Sequence, residues 1–187
     1  VERWETLDSF DAGVAHVGTP NPKPKPREPS PSQEYIPKEV PRTPVTCLEW
    51  SPSGTTQALV AGYDDGAVRI WSFLDSPPLR KWDIAAELPR HQGRVHALAW
   101  APSMGRSFDL IATGGTDAQI LIIKVKATAA GGFQHETLAD LSCPNEISRL
   151  QWNLTGTILA SSGDDGHVRL WKQTAGGTWG PTVVPHP

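Results

Sequence analysis

The stretch SSGDDGHVRLW, Ser161–Trp171, sets two acids and a glycine between two short apolar-bearing runs. Taken alone, Asp164 and Asp165 suggest a metal loop or a catalytic acid pair. The same phrase is written earlier as AGYDDGAVRIW, Ala61–Trp71. A phrase repeated in this way marks a repeated architecture. The acid pair is a poor site. A calcium loop needs oxygen ligands in series and a distal Glu. Glycoside chemistry needs two carboxylates facing each other across a cleft, not side by side in a turn. As a turn the phrase works well. Asp suits the first two positions of a type I turn, and Gly66 or Gly166 takes a positive φ without steric cost, closing a hairpin with a bulge.

Three copies run onward from Val45: VTCLEWSPSGTTQALVAGYDDGAVRIW, VHALAWAPSMGRSFDLIATGGTDAQILII and ISRLQWNLTGTILASSGDDGHVRLW. Each opens on an aliphatic residue, with Leu three later and Trp five later: Val45-Leu48-Trp50, Val95-Leu98-Trp100, Ile147-Leu150-Trp152. Each closes on a large apolar residue six past an Asp: Trp71 after Asp65, Ile123 after Asp117, Trp171 after Asp165. The opening tryptophans are 50 and 52 residues apart, near the period of propeller blades. Short β-rich runs with turn signals, and no helical apolar stripe, predict an all-β chain. Strands are expected at 45–50, 57–62, 67–73 and 80–87; at 95–100, 109–114, 119–125 and 133–141; and at 147–152, 157–162, 167–172 and 178–184. QILIIKV does not alternate, as befits an inner strand covered on both faces. LRKWDIAAEL and FQHETLADL are more polar, as outer strands should be. The second copy places Ala118 where the others have glycine. Alanine in the left-handed region costs on the order of 1 kcal/mol, so that turn is expected to be strained or of another type.

The 187 residues are 38% hydrophobic with a formal net charge of -3. That length can bury a core, and the charge gives no basic surface for direct nucleic-acid contact. Cys47 and Cys143 form no CxxC pair and are read as reduced thiols of an intracellular protein. No apolar run approaches the roughly 18 residues of a spanning helix, and no signal-peptide pattern is present. The chain starts with Val1, which suits a fragment or a processed form. Residues 1–12 are read as a strand. Residues 13–44 carry nine prolines between Pro20 and Pro44, mixed with Lys23, Lys25 and Arg27. Proline lacks an amide donor and fixes φ, which excludes a helix or a central strand there. The segment is read as a linker or surface loop of polyproline-II character. Pro26 and Pro29 have PxxP spacing, but a solvated insertion is the simpler reading.

The three copies resemble WD40 repeats, whose four-stranded blades build a β-propeller. In that family a His, a Ser or Thr, the turn Asp and the closing Trp form a hydrogen-bonded tetrad. The resemblance carries this over only in part. The third copy supplies Ser161, Asp165 and Trp171, with Cys143 near the place of the His. The second supplies His91, Thr113 and Asp117, with Ile123 in place of Trp. The first supplies Asp65 and Trp71, with Ala61 in place of Ser or Thr. Trp71 and Trp171 are followed by Ser72 and Lys172, not by the family's Asp. VHALAWAPSMGRSFDLIAT, WNLTGTILASSGDDGHVRLWK and GGTWGPTVV further resemble the C-terminal half of the Seh-type WD-repeat nucleoporins, the Sec-thirteen homologues of the Y-shaped outer-ring complex. The insertion Ala101–Phe108 is the more specific mark. This resemblance implies a six-bladed, open propeller, with 1–12 as the outer strand of a preceding blade, 13–44 as a Pro-rich loop, and blades at 45–94, 95–146 and 147–187. It also implies completion of the ring by a blade from a helical scaffold nucleoporin, association with other outer-ring nucleoporins, and a place at the nuclear pore. A second implied place is a coat-like, TOR-regulating complex at lysosomal or vacuolar membranes.

The expected function is therefore a non-enzymatic scaffold, without cofactor or metal. The alternatives are an adaptor propeller of a coat-like complex, a vesicle coat or a ubiquitin-ligase receptor, and a propeller enzyme. An enzyme would need titratable residues where Val45, Val95 and Ile147 begin their strands. Trp50, Trp100 and Trp152 are read as core, each lying two past a Leu on one strand face. A buried Trp removes about 150–250 Å² from water, worth on the order of 4–6 kcal/mol before entropy is counted. His91 is read as a blade-joining histidine rather than a general base. His167 follows a turn glycine and is expected to be exposed. Asn153-Leu154-Thr155 matches a glycosylation acceptor, and is more simply the turn after Trp152.

Overall fold

The computed structural model describes residues 43–187, apart from 55–56, 77–78, 130 and 183–187. The readings of 1–12 as a strand and of 13–44 as a Pro-rich loop lie, but for residues 43 and 44, outside the described residues. Every regular element described is a strand. The first sheet holds β1 (Val45–Trp50), β2 (Ala58–Tyr63), β3 (Val68–Ser76) and β4 (Leu79–Leu88). The second holds β5 (Val95–Trp100), β6 (Asp109–Gly115), β7 (Gln119–Ala127) and β8 (Phe133–Ser142). The third holds β9 (Ile147–Trp152), β10 (Ile158–Gly163), β11 (Val168–Gln173) and β12 (Trp179–Thr182). Each is an antiparallel meander in sequence order. Together they are three WD40-type blades of an open β-propeller.

The strands follow from composition. ALVAGY in β2 is apolar throughout and buried on both faces, as an inner blade strand must be. Both β3 and β7 extend beyond their expected ends because long outer strands pair with them to the last residue. Ser76 faces Leu79, and Ala127 faces Phe133.

The blades stack face to face. On one face of the first blade, Ala58, Val60, Val68 and Ile70 are at most 1% exposed. They pack with Leu98, Trp100, Ile111 and Ile123 of the second. The second blade repeats this: Leu110, Ala112, Ile120 and Ile122 pack with Leu150, Trp152, Leu159 and Trp171 of the third. The Trp152 indole also donates to the Ala99 carbonyl at 3.0 Å. The two packed faces come so close that a Cβ on Gly62 would meet Val95 Cγ1 at 2.6 Å, and one on Gly114 would meet Ile147 Cγ2 at 2.7 Å. Each opening Trp also meets an aromatic of its own outer strand edge-on: Trp50 with Trp82, Trp100 with Phe133 and Trp152 with Trp179.

Core burial holds for Trp100 and Trp152 but not for Trp50, which is 56% exposed against 5% and 8%. The reason is positional. The opening Trp packs on the blade before it, and the described residues supply none for the first copy. In the second turn Ala118 has φ 58°, beside 83° for Gly66 and 71° for Gly166. The chain thus keeps the same turn and holds an alanine in the left-handed region. Replacing Ala118 by Gly is expected to raise stability by up to about 1 kcal/mol in denaturant melts. Trp152→Ala is expected to lose about 3–5 kcal/mol. Trp50→Ala should lose only about 1–2 kcal/mol in the same melts, because much of its surface is already in water.

Candidate interaction site

The three turns share one lock. Each turn Asp accepts from the amide two residues on: Asp65 from Ala67 at 3.1 Å, Asp117 from Gln119 at 3.3 Å and Asp165 from His167 at 3.0 Å. This is the Asx-turn use of a short acid. The turns are then clasped by the segment leading into the next blade. His91 N–H donates to the Gly66 carbonyl at 2.9 Å, and Cys143 N–H donates to the Ala118 carbonyl at 2.8 Å. Arg90 bonds Asp65, and Arg94 bonds Asp64. The equivalent carbonyl of Gly166, in the turn between β10 and β11, has no following blade to clasp it among the described residues.

Around the turns, the sequence-predicted residues gather blade by blade. In the second blade the buried His91 ring sits between Asp117, 3.0 Å from Nδ1, and the Thr113 hydroxyl, 2.8 Å from Nε2. Asp117 also accepts from the Gln92 amide at 2.9 Å. Burial pushes the Asp117 carboxyl up, but the Gln92 amide and His91 outweigh it and hold it below its usual range. Ile123 adds no polar atom. In the third blade Trp171 donates to Ser161 at 2.8 Å. Asp165 is held separately by Arg169 at 2.5 Å, with Asn145 at 3.2 Å. The Arg169 guanidinium, then the His167 amide, keep its carboxyl far below the usual range. Cys143 contributes its backbone rather than a ring, and burial pushes its thiol up.

In the first blade Ala61 offers no hydroxyl, yet Trp71 has a partner: its indole donates to Tyr63 Oη at 3.0 Å. Sequence reasoning missed this acceptor. The only signal was a tyrosine immediately before Asp64. Arg69 lies over the Tyr63 ring at 4.5 Å. In Asp65, burial raises the carboxyl, but the Ala67 amide and then Arg90 hold it down.

None of these arrangements is a reaction centre. Each acid is spent on a turn, and His91 is fully enclosed between two blade partners. Among the described residues no group of three or more His, Cys, Asp or Glu could hold a metal ion, and no helix is long and apolar enough to cross a membrane. Asn153 is likewise committed: its Oδ1 accepts from the Thr157 and Ile158 amides, and its Nδ2 donates to the Thr155 and Thr157 hydroxyls.

What the stacking leaves over are two uncovered faces. Leu48, 55% exposed, and Trp50 lie on the front of the first blade. The back of the third carries Ile158, Ala160, Val168 and Leu170 at the positions of Ala58, Val60, Val68 and Ile70. Val168 is 67% exposed where Val68 is 1% and Ile120 is 0%. The candidate functional site is this pair of apolar sheet faces, the second bordered by the open Gly166 turn.

Asp65, Asp117 and Asp165 all have folded carboxyl values below the unfolded one of ~4. Their contribution is therefore fully present above about pH 4 and is lost as pH falls through the lower folded values. The thermal midpoint should stay flat from neutrality to about pH 5 and fall steadily below about pH 4. Asp165→Asn should show a shallower fall.

The WD domain, G-beta repeat family matches residues 38–72, and the anaphase-promoting complex subunit 4 WD40 domain matches residues 98–180. Nucleoporin SEH1-B of Xenopus laevis is 35% identical over 150 residues, covering 72% of this chain and 41% of the relative. Nucleoporin SEH1 of Homo sapiens is 34% identical over 153 residues, with coverage of 74% and 42%. Nucleoporin SEH1 of Saccharomyces cerevisiae is 32% identical over 169 residues, with coverage of 68% and 47%. The chain spans less than half the length of these curated relatives, and none of their names denotes an enzyme. Three WD40-type blades and these matches make the chain a member of the Seh1-type WD40 nucleoporin family.

Proposed function

We propose that the chain is the C-terminal half of a non-enzymatic structural subunit of the outer ring of the nuclear pore. Its relatives carry the name nucleoporin. In this reading it supports nucleocytoplasmic transport by holding scaffold partners together rather than by chemistry. The front of the first blade, with Leu48 and Trp50, receives the preceding blades of the same protein. The back of the third blade receives a blade from a helical scaffold nucleoporin, and other outer-ring nucleoporins assemble around the pair.

One observation carries this reading. The back of the third blade presents to water the positions that the first two blades bury against a neighbour, Val168 foremost. A bare apolar sheet face with free strand edges invites another sheet. Addition of strands from a partner satisfies both needs at once.

The test is co-purification of the full-length protein with a helical outer-ring nucleoporin. Val168→Glu, at an exposed position, should leave the fold intact by circular dichroism and abolish the complex. Wild-type recovery of the complex by that variant would overturn the reading. The isolated 187-residue chain, with both faces bare, is expected to self-associate in light scattering; a monodisperse, cooperatively unfolding monomer would count against the proposal.

A further inference from the structure

The insertion Ala101–Phe108 takes no part in the clasps at the Asp turns, but it ties the second blade to the third by another route. Arg106 donates from Nη1 to the Gly156 carbonyl at 2.8 Å and from Nη2 to the Pro102 carbonyl at 2.7 Å. The first bond crosses from the second blade to the β9–β10 turn of the third, which the Asn153 side chain locks from within. From these two pinned loops Met104 stands 64% exposed and Leu154 89% exposed. Large apolar groups on rigid loops lose little freedom on binding.

Beside the Arg106 bridge lies a cavity of about 390 Å³. Leu110, Ile158 and Trp179 give it an apolar lining, and among the described residues Arg106 and Lys172 are its only titratable lining residues. No carboxylate lines it, and no ion pair joins Lys172 to an acid among the described residues. Two N–H groups of its lining residues, Arg106 Nε and Trp179 Nε1, are buried without an acceptor among the described residues. A site whose only charges are cationic, in a chain of net charge -3, selects for an anion. The apolar lining and the neighbouring Met104 and Leu154 extend well beyond the needs of a small ion.

We infer that this cavity and the two loops beside it form a docking surface for an acidic peptide segment. A Glu or Asp carboxylate of the peptide meets Lys172 and Arg106. An adjacent apolar side chain fills the space over Leu110, Ile158 and Trp179. The surface meets the blade-receiving face at Ile158 and Lys172, which share a sheet face with Val168, but Arg106, Leu110, Trp179 and the two loops belong to it alone.

The probe is a fluorescein-labelled peptide, Gly-Ser-Glu-Leu-Asp-Glu-Leu-Gly-Ser, titrated with the full-length protein and followed by anisotropy. Its counterpart with Gln and Asn in place of the acids should bind about tenfold more weakly or worse. Lys172→Glu and Leu154→Asp, both at exposed positions, should each weaken binding of the acidic peptide by about tenfold. Arg149→Glu, an exposed charge change on β9, and Val168→Glu should leave it unchanged. Absence of binding, wild-type affinity in both Lys172→Glu and Leu154→Asp, or an equal loss in Arg149→Glu would overturn the inference. Loss of the blade partner in Val168→Glu with the peptide still bound distinguishes failure of the blade-completion reading from failure of this one.

Discussion

The contact on which the rest depends is the seating of a Leu–Trp pair from one blade on the back of the blade before it. Leu98 and Trp100 do this between the first two blades, and Leu150 and Trp152 between the next two. A four-stranded meander has two apolar faces and cannot bury either by itself. Stacking buries one face of each neighbour, and the sheet edges, turns and linkers then fall into place around it. The same constraint explains why the end blades look unfinished. The front of the first and the back of the third have the chemistry of a buried face without its cover.

Much of this was legible in the sequence, because blade packing repeats at a fixed spacing. The aliphatic–Leu–Trp openings and the Asp turns located the strand ends and the hairpins from residue identity alone. The fate of Trp50 was not legible. Its type and spacing match Trp100 and Trp152, but burial of an opening Trp depends on another blade, and identity within a copy says nothing about that neighbour. The substitutes in the hydrogen-bonded networks were hidden for a related reason. Tyr63 reaches the Trp71 indole from two residues beyond the expected acceptor, and Arg169 takes the acid that a histidine ring would otherwise hold. A long side chain can serve a polar group from a different register position, so a motif written position by position misses it. The Arg106 bridge is less legible still, since it joins groups 50 residues apart.

The turn acids Asp65, Asp117 and Asp165 owe their lowered carboxyl values to structure rather than to chemistry on a substrate. Each turn Asp meets a backbone amide two residues on, and each has a cationic or ring partner nearby. A carboxylate that accepts several hydrogen bonds is stabilised in its charged form. Here the shifts all run downward, the behaviour of acids that fasten a fold.

The open face of the third blade also carries a record of how close its neighbour comes. Gly62 and Gly114 have no room for a Cβ, because Val95 and Ile147 of the following blade press against them. The equivalent position in the third blade is Ser162, by the same pairing that sets Gly62 opposite Cys47 and Gly114 opposite Ala97. At the first turn a Cβ on Gly66 would collide with the His91 carbonyl, whereas one on Gly166 would meet nothing within 4 Å. Gly62 and Gly114 answer to the approach of another blade, whereas Gly66 and Gly166 answer to a positive φ that the second blade gives to Ala118. In the third blade Ser162 has no following blade among the described residues pressing on it, and only the Gly166 turn has a φ requirement. Whatever covers Val168 must therefore seat on the apolar strip while leaving space at Ser162 and at the Gly166 turn, a looser fit than the chain makes with itself.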